Sequence, residues 1–396
     1  MVRFGPAPLP SPVPDARGPL RIALFTGNYH HVEDGVSRTL NRLVRYLLAQ
    51  SHEVLIIGPT VPDPPMEHAG TLVPVPSVSI PTRPEYQFTT GFPSDVKWKV
   101  RHWKPDVVHI ATPDRLGFAA LKWAEREGLP IVSSYHTHFP SYLGYYHAGA
   151  LEPLLWRLAR RFYNRVGEVF VPTPSMADVL REHGITAPIE LWPRGVETDR
   201  FTPEARSSLW REAKGFSEDE IVITFVSRLV KEKSVDVYAD VVNRLRARGL
   251  PVRGLVVGSG PEREAMEARA PDAVFTGHLG GEEIAAAYAS SDIFLFPSET
   301  ETFGNVTLEA MASGLPAVCA DAVGSSSLVV DGETGFLCPP RDVDAFTNAT
   351  ARLVEDPALR QRLGAAARER ALTYDWDAIL GRLADRYRAA ASGEAR

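Results

Sequence analysis

Cysteine is nearly absent: the 396 residues include two, Cys319 and Cys338. Two thiols cannot build a disulfide framework or a Cys-based zinc finger, and they suit a reducing cytosol. No stretch approaches the ~18–20 consecutive apolar residues that a membrane-spanning helix requires. Positive charge is not in excess. The 43 Lys and Arg stand against 49 Asp and Glu, a net charge of −6 that lends no support to a nucleic-acid partner. No GxxxxGK[ST] loop occurs, which argues against a P-loop ATPase, and no His/Asp cluster has metal-ligand spacing, so no metal is expected. What is present is an ordinary soluble composition, 44% hydrophobic and 23% charged. The length suits two or three domains.

Proline is concentrated at the start, where Pro6, Pro8, Pro10, Pro12, Pro14 and Pro19 fall within the first twenty residues. Each ring removes an N–H and fixes φ, so residues 1–20 read as a disordered tail. No apolar run follows the basic residue, which argues against a signal peptide. From Ile22 onward, short apolar runs alternate with helical patterns. Ile22, Leu24 and Phe25 read as a strand buried on both faces. Leu40, Leu43, Val44 and Leu47 recur at i, i+3, i+4, i+7 in a helix from Ser37 to about Gln50. HEVLIIG is the next strand, completing a βαβ unit. Residues 106–112, 130–138 and VGEVFVPTP continue the strands, with helices between them; the Pro-rich stretches 59–65 and 74–84 read as connecting loops. Near residue 200 the alternation restarts, with strands at 221–229, VRGLVVGSGP, AVFTGHL, DIFLFPS and PAVCADAVG.

Two βαβ series of similar length predict an α/β protein of two doubly wound, Rossmann-like domains facing a cleft. The expected division is residues 21–198 and 199–375, with 376–396 a C-terminal helix packing back towards the first domain. In such open sheets ligands bind outside the carboxyl ends of the strands.

The densest chemical signal is PSETETFGNVTLEAMASGLP, residues 297–316. Glu301 lies after a strand, Gly304 and Asn305 form a turn, and Asn305, Val306 and Thr307 open a helix that carries Glu309. A helix start offers unpaired N–H groups and about half a positive charge, a site for a diphosphate. The two carboxylates would repel that anion and are better suited to accepting hydrogen bonds from neutral hydroxyls. In SRLVKEKSVD, Arg228 and Lys233 follow a strand five residues apart, two cations suited to a diphosphate leaving group. Gly258-x-Gly260 after another strand permits close backbone approach, but the third glycine of a dinucleotide fingerprint is missing.

In the first half, DGVSRTLN places Gly35 at a turn entering a helix, a second backbone site for an anion or a sugar. His136 and His138 end a strand at i, i+2, a spacing that sets both on one face of an extended segment. Either could donate a hydrogen bond to a hydroxyl or phosphate. In residues 151–167, Leu151, Leu154, Leu155, Leu158 and Phe162 form one helical stripe and Arg157, Arg160, Arg161 and Arg165 fill the rest. Trp156 and Tyr163 would sit at its margins. Such a helix can lie on an anionic membrane. Arg38, Arg42 and Arg45 form a further basic stripe, and LGYYHAG, with Tyr145 and nearby Tyr142, offers exposed aromatics.

These motifs resemble a family. ETETFGNVTLE resembles the E-x7-E motif of retaining GT-B glycosyltransferases of family 4. RLVKEK resembles their donor-phosphate Arg/Lys pair, VGSGP their glycine turn and WPRGVETDRF their interdomain segment, with Glu197 where Asp is usual. The likeness runs from about residue 21 to 390. It is similar both to sulfoquinovosyl-diacylglycerol synthases and to GDP-mannose-dependent mannosyltransferases. The resemblance implies that Glu301 contacts the donor sugar and Glu309 the ribose. Arg228 and Lys233 would bind the diphosphate, Gly35 would approach it, and His136 would sit beside the reacting sugar.

It also implies retention of anomeric configuration without a divalent metal or other cofactor, the nucleotide sugar being a co-substrate. The basic helix and the aromatics, with His138, Tyr142 and Tyr145 as acceptor contacts, point to a lipid or membrane-surface acceptor. That fits a cytoplasmic enzyme peripheral to the inner face of the plasma membrane. Two other readings share the cleft: a nucleotide-sugar epimerase or hydrolase that needs no acceptor, and a non-catalytic nucleotide-sugar-binding regulator.

Overall fold

Short, almost wholly apolar runs separated by amphipathic helices fold as parallel strands covered on both faces. That is how the chain is built in a computed structural model, which describes residues 18–32, 34–80, 83–136 and 151–394. Of the tail expected at residues 1–20, residues 1–17 lie outside the described residues, and 18–20 form neither helix nor strand. The chain divides into two compact units. One comprises Arg194–Trp376; the described residues of the other are 18–32, 34–80, 83–136, 151–193 and 377–394.

The N-terminal unit contains β1 (Arg21–Phe25), β2 (Glu53–Gly58), β3 (Thr71–Pro74), β4 (Ser77–Ile80), β5 (Arg83–Thr89), β6 (Val107–Ile110), β7 (Ile131–Ser134), β8 (Glu168–Val171) and β9 (Ile189–Leu191). Seven of them make one parallel sheet in the order β3-β2-β1-β6-β7-β8-β9. Ile22, Leu24 and Phe25 of β1 are buried, as are Leu40, Leu43, Val44 and Leu47 of the helix Gly35–Ala49. The C-terminal helix Trp376–Ser392 supplies Leu380, Leu383 and Tyr387 as buried residues. Its Arg386 forms an ion pair with Glu168 of β8.

The second unit contains β10 (Ile221–Val226), β11 (Val252–Val257), β12 (Val274–Gly277), β13 (Ile293–Phe296), β14 (Ala317–Ala320) and β15 (Gly335–Cys338), all parallel, in the order β12-β11-β10-β13-β14-β15. In each unit the strand order reverses beside the first strand, between β1 and β6 and between β10 and β13. A doubly wound sheet opens its crevice at that reversal, at the carboxyl ends of the two strands. Arg368, on the helix Pro357–Leu372, donates hydrogen bonds to the carbonyls of Phe201, Thr198 and Ala312. It thereby ties the entry of this unit to the end of the helix Asn305–Ala312.

Two readings of the sequence need correction. Residues 74–84 are not simply a loop, because β4 and β5 pair antiparallel, with Val78 opposite Phe88. The prolines that punctuate this stretch hide a Ser-Val-Ser-Ile alternation that has period two. The helix Ser94–Trp103 was not anticipated. It buries only Val96 and Val100, one turn apart, which is too thin a stripe to stand out as a pattern.

Candidate active site at the carboxyl ends of β10 and β13

The chain leaves β10 at Val226, passes exposed Arg228, and makes a 3-10 turn at Lys231–Lys233. Ser234, at φ 51°, closes the turn in the left-handed region and starts the helix Val235–Ala247. This turn is locked to the loop that follows β13. Ser298 Oγ and Thr300 Oγ1 donate to the Glu232 carbonyl at 3.4 and 3.3 Å. Lys233 Nζ forms an ion pair with Glu301 Oε1. The Lys233 side chain is 8% exposed and that of Glu301 is 21% exposed. A pair this enclosed is exacting: deleting one partner strands the other, at a typical cost of about 3–5 kcal/mol.

Gly304 caps the helix Asn305–Ala312 at φ 101°, where a side chain would be strained, and no side chain caps that helix. The amides of 305–307 therefore lack intrahelical acceptors. Asn305 is exposed, Val306 half-buried and Thr307 buried. Further along, Glu309 accepts a hydrogen bond from the Tyr288 hydroxyl at 3.1 Å. Tyr288 is fully buried, and burial followed by the nearby carboxylate holds its phenol well above the ordinary range. The sequence reading missed Tyr288 because it stands among alanines in an apolar helix.

The glycine turn serves the chain's own backbone. A Cβ at Gly258 would lie 1.8 Å from the Ser227 carbonyl oxygen, and one at Gly260 would lie 2.3 Å from that of Leu229. Leu229 N–H donates to the Ser259 carbonyl at 3.0 Å. The two glycines thus press against both neighbours of Arg228 and hold its loop. Gly324, which had no sequence signal, does the same for Glu301, since a Cβ there would meet the Glu301 carbonyl oxygen at 2.8 Å.

Two sequence profiles match the chain: Glycosyltransferase Family 4 over residues 34–200 and Glycosyl transferases group 1 over residues 220–356. A GDP-mannose-dependent alpha-mannosyltransferase of Corynebacterium glutamicum is 32% identical over 93% of this chain and 89% of its own. Sulfoquinovosyl transferase SQD2 of Arabidopsis thaliana is 35% identical over 91% of this chain and 72% of its own. The chain belongs to glycosyltransferase family 4. Its fold is GT-B, two Rossmann-like halves. Sucrose-phosphate synthase from Thermosynechococcus elongatus shares that fold with a TM-score of 0.76 at 21% identity, covering 93% of this chain and 98% of its own. HepE of Anabaena, solved with UDP-glucose, reaches 0.71 at 18% identity, covering 93% and 100%.

The N-terminal unit of this family 4 glycosyltransferase places Gly35, exposed, as the first residue of its helix, behind Asp34, whose carboxylate accepts from Ser37 N–H at 2.8 Å. His136 is buried just beyond β7, edge-on to Trp192 at 5.2 Å. Its Nε2 lies 2.8 Å from Ser134 Oγ, which in turn is 2.9 Å from His109 Nε2. His138, Tyr142 and Tyr145 lie outside the described residues.

The helix Glu152–Tyr163 departs from the sequence reading. Trp156 and Tyr163 are buried rather than marginal, Trp156 stacking on His183 at 3.8 Å. Arg160 donates to the His183 carbonyl at 3.1 Å, and Arg165 pairs with Glu125. Those two arginines fasten neighbouring elements and are spent inside the unit. Leu151, Leu154 and Leu158 are instead exposed, at 52%, 48% and 43%, and share the outer side with exposed Arg157 and Arg161. Among the described residues no helix is long and apolar enough to cross a membrane.

Burial lowers the His109 pKa to about 3 and that of His31 to about 4. Both folded values lie below the unfolded value near 6.5. Their contribution to stability is therefore complete above that pH and is lost as pH falls from about 6.5 towards 4 and then 3. Denaturation midpoints should decline across this window, and His109→Gln should make the decline shallower. An unchanged slope in the variant would show that His109 is not neutral in the folded protein.

Proposed function

We propose that this enzyme is a retaining, metal-independent hexosyltransferase. It moves a sugar from a UDP-sugar or GDP-mannose to a hydroxyl of a lipid or lipid-linked acceptor. One observation carries the reading: two cations, a carboxylate and an uncapped helix start gather at the carboxyl ends of adjacent β10 and β13. The GDP-mannose dependence in the mannosyltransferase relatives' names supports it. So does the glycolipid product in the name of a relative at 27% identity, an alpha-monoglucosyldiacylglycerol synthase of Streptococcus pneumoniae, where the match covers 80% of this chain and 75% of its own.

Breaking the anomeric C–O bond leaves an oxocarbenium-like sugar and adds negative charge to the departing diphosphate. The Arg228 fork, the Lys233 ammonium and the amides of 305–307 take up that charge where it develops. Glu301, released by Lys233 as phosphate replaces it, accepts hydrogen bonds from sugar hydroxyls. Glu309, oriented by Tyr288, accepts from the ribose diol. The acceptor hydroxyl attacks from the leaving-group side and passes its proton to a phosphate oxygen, so configuration is kept. His136 acts as a hydrogen-bond donor to the transferred sugar.

A thermal-shift screen of UDP-, GDP- and ADP-sugars tests the donor site. Ligand at a hundredfold excess over its Kd stabilises by about 2.7 kcal/mol, and no shift with any of the three would contradict the reading. Arg228→Ala should lower kcat about 100- to 1000-fold, the usual loss for one charge-stabilising contact. Anomeric NMR of the product should show retention. Inversion would overturn the mechanism, and donor turnover that ignores acceptor would favour hydrolysis or epimerisation.

The outward leucines and arginines of the helix Glu152–Tyr163 support a membrane-surface acceptor, each exposed cation adding ~1 kcal/mol near anionic lipid. Flotation with vesicles containing anionic lipid should recover the wild type, and Leu154→Asp with Leu158→Asp should abolish recovery. Failure of the wild type to float with any vesicle would remove this part of the account.

A further inference from the structure

A line of buried hydrogen bonds runs through the N-terminal unit from its C-terminal helix to His136. Tyr387, fully buried on Trp376–Ser392, sets its hydroxyl oxygen 2.7 Å from His109 Nδ1. His109, on β6, sets Nε2 2.9 Å from Ser134 Oγ. Ser134 ends the neighbouring β7, and its hydroxyl lies 2.8 Å from His136 Nε2. The sequence gives 278 positions between the first two residues and brings them together only through the fold.

The three bonds must take up the buried hydrogens of Tyr387, His109 and Ser134, to which the His136 ring adds a fourth candidate. Tyr387 and Ser134 have one each, and the His109 ring, kept neutral by full burial, has one. All three are used in only one direction. Tyr387 O–H donates to Nδ1 of His109, His109 Nε2–H donates to Ser134 Oγ, and Ser134 O–H donates to Nε2 of His136. The reverse direction would leave the Tyr387 hydrogen without an acceptor in a site walled by the Phe170 ring, 6.1 Å away. A buried donor without a partner is unfavourable. With Nε2 of His136 held as an acceptor, its own proton belongs on Nδ1.

We propose that Tyr387 is a positioning residue for His136: through His109 and Ser134 it fixes the imidazole with Nδ1 protonated and Nε2 accepting. The inference rests on the reading of His136 as a donor to the transferred sugar. It assigns to the C-terminal helix a part in the chemistry beyond packing. Mis-set tautomers present a lone pair where a donor is required, so the effect falls on turnover rather than on nucleotide affinity.

The test is a long-range nitrogen–proton spectrum of the full chain labelled in histidine nitrogen, with the His136 signals assigned by their loss in His136→Asn. The wild type should show the Nδ1–H tautomer. Ser134→Ala and Tyr387→Phe should each raise the Nε2–H share and lower kcat about 2- to 10-fold, the loss of one hydrogen bond, with KM within about twofold. Ser134→Thr, which keeps the hydroxyl, should restore the wild-type spectrum. An Nε2–H tautomer in the wild type, or spectra unmoved in both variants, would overturn the proposal. So would a tautomer that moves while kcat does not. Because the spectrum is read without substrate, it decides the relay even if the wild type transfers no sugar, an outcome that counts against the transfer reading instead.

Discussion

The Lys233–Glu301 ion pair fastens together the two loops that form the candidate site. One follows β10 and carries Arg228; the other follows β13 and leads into the helix at Asn305. Neither loop has much else to define it. Serine and threonine hydroxyls reach across to the Glu232 carbonyl, and glycines at 258, 260 and 324 let backbones approach closer than any side chain would allow. The pair is enclosed enough that its desolvation cost is offset only while both charges are present. Arg228 stays exposed beside it. Removing Glu301 outright would therefore disturb Lys233 as well, and a loss of activity in Glu301→Ala would report on both.

The N-terminal unit solves a different problem. It buries His109 as a neutral, hydrogen-bonded group and links it to a helix from the far end of the chain. Arg386 on Glu168 and Tyr387 on His109 make that helix part of the unit rather than an appendage. On the outer side of the same unit, leucines and arginines share one exposed surface of a helix whose aromatic residues are turned inward.

Much of this could be read from the residues in order. The βαβ alternation was legible because parallel strands are apolar on both faces and their helices keep a 3.6 period. The helix start after β13 and the cations after β10 were legible because a strand, a turn and a helix cap each leave local marks. The partners of those residues were not. Tyr288, Gly324, His109 and Tyr387 meet Glu309, Glu301 and, through Ser134, His136 only after folding, and each looks like ordinary core or loop in its own segment. The basic helix shows the same limit from the other direction. Periodicity grouped Phe162 with the leucines and set Trp156 and Tyr163 at the margins, whereas these three aromatics are the residues that pack inward and Leu151, Leu154 and Leu158 stay outside, because large rings bury more area than leucines do. The β4–β5 hairpin was hidden by prolines that break the very alternation they flank.

In the proposed mechanism one diphosphate is neutralised jointly by Arg228, Lys233 and the amides that open the helix at Asn305. A crystal structure of the enzyme with UDP or GDP tests it most directly. The account predicts phosphate oxygens within hydrogen-bond distance of both side chains and of the Val306 or Thr307 amide, with the Lys233–Glu301 contact opened. A nucleotide whose phosphates lie away from those groups, with the ion pair intact, would contradict it.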